Sequence, residues 1–262
     1  MMDADHAQVA RIGLAATRDD GFALAGGQAF KEHGIGIREP NDVDLFTDRQ
    51  TDFDQTMSKF ETAYGDAGYQ FDLVERSGEH AKFTVTKDGR STEVDVGRDF
   101  RSRPPVETEV GPMLSAEDSV GSKVGMVYDR VEAKAYIDLE AAVQSGRYSR
   151  DDLLALGDER EISGMDREGF AYQLDQARGI PDAKYAEYGL NAEQTAALKQ
   201  DMGNWADQLR TRAENPDMDR AMRLTETGQS RAGSGPSSLT QGAAGRTGKS
   251  LSQERSKGER GS

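Results

Sequence analysis

The side chains best placed for chemistry in this chain are carboxylates. Asp42 and Asp44 alternate with apolar residues in Asp42-Val-Asp-Leu-Phe46, so in a strand both project from one face while Val43 and Leu45 pack on the other. Two adjacent carboxylates repel each other unless a cation sits between them. Hard oxygen ligands of this kind suit Mg²⁺, which keeps part of its water and completes its shell with phosphate oxygens. An Asp-x-Asp pair also arises by chance in an acidic protein, and a Gly-Gly pair alone is usually a turn. The order of the segments sets this case apart. Upstream, Phe22-Ala-Leu-Ala-Gly-Gly-Gln-Ala-Phe30 reads as a short buried strand, a glycine turn at Gly26 and Gly27, and a helix starting near Gln28. Such a start offers unpaired N–H groups to an anion, and bare glycines let a phosphate approach the backbone.

The third candidate carboxylate is Asp95. Lys82 to Thr86 and Ser91 to Val96 read as strands joined by Lys87-Asp-Gly-Arg90, in which Asp88-Gly89 is a two-residue hairpin signal. A register symmetrical about that turn sets Asp95 opposite Lys82, with Val94 and Val96 on the core face and Glu93 and Asp95 on the other. Alone, Asp95 would read as a solvated strand residue. Arg38, four residues before Asp42, either neutralises phosphate, orients the Asp loop or forms a surface ion pair. Lys123 and Arg130 are seven apart, two turns along one face of a helix, and would form a cationic stripe.

Leu24-Ala-Gly-Gly-Gln-Ala-Phe30, Arg38-x-x-x-Asp42-Val-Asp-Leu-Phe46 and Glu93-Val-Asp95 together resemble the AbiEii family of nucleotidyltransferase-like toxins, in the DNA polymerase beta-like nucleotidyltransferase superfamily. Lys123-Val-Gly-Met-Val-Tyr-Asp-Arg130 followed by Lys134-Ala-Tyr-Ile-Asp138-Leu139 is similar to that family's helical signature, and the likeness spans roughly Gly21 to Leu156. The resemblance implies that Gly26 and Gly27 hold the triphosphate of an NTP, and that Asp42, Asp44 and Asp95 bind Mg²⁺. It further implies that Asp95 helps activate an acceptor hydroxyl, Lys123 meets phosphate and Asp138 sits near the site. The implied activity is two-metal nucleotide transfer by a toxin, with a tRNA end as acceptor and a cognate antitoxin as partner. A protein or small-molecule hydroxyl is an alternative acceptor. One position departs, since Ala135 stands where the family usually has Asp. With the acidic body of the chain, it supports the alternative of a weakly active or inactive member that binds nucleotide or a partner protein.

The elements around these residues give an α+β expectation: a nucleotidyltransferase-like mixed sheet with helices over 1–112, a helical region completing the site over 113–227, and a disordered tail over 228–262. Helices are expected over Asp3 to Asp19, Asp52 to Ala67, Asp166 to Arg178 and Asn191 to Arg212, with a strand over Gln70 to Arg76. Ser115-Ala-Glu-Asp118 is a helix start of the capping-box type with Asp in place of Glu, and Ser149-Arg-Asp-Asp152 starts another helix. Leu198, Met202, Trp205 and Leu209 form one apolar stripe, read as core packing rather than a partner groove. His6, His33 and His80 have no ligand spacing and read as surface or boundary residues.

The 262 residues include no Cys and no long apolar run, and the expectation is a soluble cytoplasmic protein without membrane contact. The net charge of −14, with +4 over 228–262, leaves −18 on the rest, which would repel an extended RNA unless a local basic surface engages it. Gly245-Arg-Thr-Gly-Lys-Ser250 imitates a phosphate-binding P-loop but has Ala243 where the first glycine belongs, and no strand precedes it.

Overall fold

A computed structural model describes residues 2–214. The expected tail and the P-loop imitation lie outside the described residues. The chain begins with helix α1 (Ala4–Ala16), then strand β1 (Ala23–Leu24), α2 (Gly26–Glu32), β2 (Asp42–Thr47) and α3 (Phe53–Asp66). Three longer strands follow: β3 (Gln70–Ser77), β4 (His80–Lys87) and β5 (Arg90–Arg98). Two short ones, β6 (Val106–Glu107) and β7 (Pro112–Met113), complete a seven-stranded sheet of order β3-β4-β5-β2-β1-β7-β6. The fold is α+β, as expected.

The hairpin fixes the register. Asp88 and Gly89 both have positive φ, 52° and 74°, as a two-residue turn matching the strand twist requires. Lys82 therefore pairs with Asp95. β5 then runs parallel to β2, setting Asp44 level with Asp95 and Asp42 level with Glu93. Side-chain alternation sends Val43, Leu45, Val94 and Val96 into one core with α1 and α3, where Phe60 packs between Phe22 and Phe83. The carboxylates are left on the opposite face.

Helices α4 (Ala116–Asp129), α5 (Ala133–Gln144), α6 (Arg150–Asp158), α7 (Arg167–Gln176), α8 (Asp182–Ala186) and α9 (Ala192–Glu214) follow. They build a second core, joined by Phe30 and Ile35. Ser149 and Asp152 complete a full capping box. Ser115 caps the Asp118 amide, and the buried Asp118 carboxylate accepts from the Ser115 hydroxyl and from the Ser102 and Arg103 amides, tying the segment after β5 to α4. Leu198, Met202, Trp205 and Leu209 are all buried, and Trp205 meets Phe170 edge to face at 5.5 Å. That stripe is core.

Candidate active site

A cavity of about 410 Å³ opens between the charged face of β2 and β5, the start of α2 and one side of α4. It is lined by Gly26, Gly27, Arg38, Asp42, Asp44 and Asp95 from the sheet side, and by Lys123, Arg130 and Lys134 from the helical side. Eight residues named for chemistry in the sequence, including all three carboxylates, thus meet at one place, and Lys134 joins them. The ninth, Asp138, lies behind that wall.

Gly26 shows why glycine is needed at the start of α2. Its φ is +58°, and a Cβ there would lie 1.7 Å from Asp44 Oδ2, so any side chain collides with the site carboxylate. Helix α2 begins at Gly26 itself, two residues earlier than the sequence suggests, and the space a Cβ would take is filled by the Asp44 carboxylate.

The carboxylates are short of positive charge. Burial, with the charges of Asp42 and Asp95 beside it, pushes the Asp44 carboxyl up to about 7, although Lys123 pulls the other way. Asp95 has closer company: Lys82 Nζ at 3.4 Å and His80 Nε2 at 2.8 Å from its carboxylate oxygens. Among the described residues no group of three or more His, Cys, Asp or Glu closes into a cluster able to hold an ion by itself. The donor chemistry nevertheless fits Mg²⁺. Hard oxygens crowd one wall, and burial together with neighbouring carboxylates raises the carboxyl among them, an effect a bound cation would offset. An ion entering with phosphate ligands would supply what the protein set lacks.

Behind the helical wall, Asp138 on α5 accepts a bidentate pair from Arg38, Nε at 2.8 Å and Nη2 at 2.9 Å, and an ion pair from Lys123 Nζ at 2.8 Å. All three side chains are buried. Burial alone would raise the Asp138 carboxyl, but Lys123 and Arg38 hold it below the usual carboxylate range. For Arg38, burial opposes the charge, and Asp138 more than offsets it. Two cations share one carboxylate, leaving a surplus of +1 at the cavity wall. Arg38 Nη1 is buried without a hydrogen-bond partner. Of the readings left open for Arg38, the surface ion pair is excluded.

Two expectations need correction. Arg130 does not share a helical face with Lys123, because α4 ends at Asp129 and Arg130 caps it in extended conformation, yet it still lines the cavity. His80 is not an ordinary boundary residue. It stands on β4 two positions before Lys82, on the same face, and reaches Asp95. Ala135 is fully buried in the helical core, so the departure from the family pattern does not empty the cavity of a carboxylate.

Other lining residues escaped the sequence reading. Ser122, Gly125, Met126 and Asp129 form an i, i+3, i+4, i+7 face of α4, a periodicity that could have revealed the wall. Arg98, Asp99 and Phe100 come from the end of β5 and beyond, and Arg160 and Glu161 from just past α6. No motif marks them.

The fold is similar to JHP933 from Helicobacter pylori, with 14% identity over 86% of this chain and 100% of that one at a TM-score of 0.47. It is also similar to MenT4, a nucleotidyltransferase toxin from Mycobacterium tuberculosis, with 13% identity over 84% of this chain and 93% of that one at a TM-score of 0.49. No family model matches the chain, and no curated protein matches it in sequence. No helix among the described residues is long and apolar enough to cross a membrane.

Proposed function

We propose that this chain is a nucleotidyltransferase that moves a nucleotidyl group from a nucleoside triphosphate to an acceptor hydroxyl, with pyrophosphate leaving. One observation carries the reading. Asp44 and Asp95, level on two parallel strands, and Asp42 beside them face Lys123 across a single cavity, with the buried Asp138 behind Lys123 holding it in place. Acidic oxygens on one wall and a surplus cation on the other suit a ligand that is itself polyanionic and carries a divalent metal.

Asp42, Asp44 and Asp95 would hold Mg²⁺, which when bound supplies Lewis acidity at the phosphates and neutralises their charge. Lys123, locked by Asp138, offers its ammonium to phosphate without the entropy cost of a free lysine. Arg38, whose buried Nη1 has no hydrogen-bond partner, adds positive charge from the sheet side of the cavity. Asp95 takes the proton of the attacking hydroxyl, with the Lys82 ammonium beside its carboxylate.

The motif order shared with AbiEii toxins extends the proposal to a toxin acting on a tRNA end, with an antitoxin as partner. Arg98, Arg130, Lys134 and Arg160 in the cavity lining supply the local positive groups that an RNA end needs against the acidic body. Incubating the full chain with each radiolabelled nucleoside triphosphate, Mg²⁺ and total RNA or protein tests the proposal. Label transferred to a macromolecule supports it, and its destination identifies the acceptor. Absence of transfer to RNA, protein and small hydroxyl compounds alike overturns it.

A further inference from the structure

Phe100 lies at the cavity wall with 43% of its surface exposed, a poor place for a large apolar side chain that packs into neither core. The backbone that carries it is fixed on both sides. Asp99 N–H donates to Thr47 O at 2.9 Å, and the Asp118 carboxylate accepts from the amides of Ser102 and Arg103 at 2.8 and 3.0 Å. Arg160 donates to Asp99 Oδ1 at 2.5 Å and to the Phe100 carbonyl at 3.0 Å, and its guanidinium sits 5.7 Å from the centre of the Phe100 ring. The ring is thus held over a cation and presented to the cavity. A loop pinned at four points around one exposed aromatic side chain is preorganised for a flat apolar partner.

We infer that Phe100, oriented by Arg160, is the platform on which the base of the incoming nucleoside triphosphate stacks. This rests on the nucleotidyltransferase reading and adds to it the part of the site that holds the base. Phe100 follows Asp95 by five residues, which limits their separation to roughly 17 Å of extended chain. Within that limit one nucleotide can reach from the carboxylates to the ring inside the same cavity. Stacking alone reads the π-face, which every base has, so the platform gives affinity for nucleotides as a class. Any preference among bases would come from polar neighbours such as Asp99 and Glu161, which also line the cavity.

The test compares the full chain with its Phe100→Ala and Phe100→Trp variants, binding each of the four nucleoside triphosphates and, separately, inorganic tripolyphosphate, all with Mg²⁺. Phe100→Ala is expected to weaken nucleotide binding by about 5- to 100-fold and to leave tripolyphosphate binding unchanged, while Phe100→Trp retains or improves nucleotide affinity. Melting curves of both variants should match the parent because the ring is half exposed. Nucleotide affinity unchanged in Phe100→Ala, or nucleotide and tripolyphosphate weakened equally, overturns the platform while leaving the nucleotide site standing. Failure of the unaltered chain to bind either ligand overturns the nucleotidyltransferase reading, and the platform with it.

Discussion

At the scale of single residues, the cluster of Arg38, Asp138 and Lys123 is the arrangement with the sharpest consequences, because the same three charges respond unequally to removal. Lys123→Met leaves a balanced Arg38–Asp138 pair, whereas Asp138→Asn leaves two buried cations with no counter-charge. The latter change should cost about 3–5 kcal/mol and the former less than half of that, measured by urea denaturation. Nucleotide binding should fall in both. Equal destabilisation would mean that Lys123 is held by packing rather than by charge. Gly26 is the second test at this scale. Gly26→Ala combines a positive φ with a methyl group driven into the Asp44 carboxylate, so it should destabilise by about 1–3 kcal/mol and abolish transfer. Retained activity would show that Asp44 is not needed where it lies. Asp95 was legible from the sequence because the Asp88-Gly89 turn dictates its register. The Arg38–Asp138 pair was not, since its partners are 100 residues apart and only the packing of α5 against the wall brings them together.

At the scale of elements, alternation and helix spacing were legible wherever one face had to be buried. The carboxylate face of β2 and β5 and the α9 stripe follow directly from that requirement. What remained hidden was supplied by segments without period. The wall containing Phe100 and Arg160 joins the chain after β5 to the chain after α6, and nothing in either stretch alone signals the other. α4 was half legible: its start at Ser115 and its Lys123 were marked, but its end at Asp129 placed Arg130 off the helix. The reading of α9 as core can be tested directly. Trp205 is 1% exposed and packed on Phe170 and Arg150, so Trp205→Ala should cost about 3–5 kcal/mol by denaturation. A loss below about 1 kcal/mol would point to a surface groove instead.

At the scale of the molecule as far as it is described, the two larger cores hold two walls of one cavity. The sheet with α1 and α3 presents carboxylates, and the helices from α4 onward present cations with their own buried counter-ion. Such a site is arranged for its ligand rather than for its own stability. Asp44, raised by burial and by two neighbouring carboxylates, is destabilising while ionised and without a cation, so Asp44→Asn should raise the melting temperature of the free protein. The most direct measurement therefore sets the unaltered chain beside Asp44→Asn, following transfer of radiolabel from a nucleoside triphosphate in Mg²⁺ together with the melting curve of each. Transfer by the unaltered chain, reduced roughly 100-fold or more in a variant that melts no lower, is the expected result. Equal transfer by the two proteins would contradict the assignment of this cavity as a nucleotidyl-transfer site.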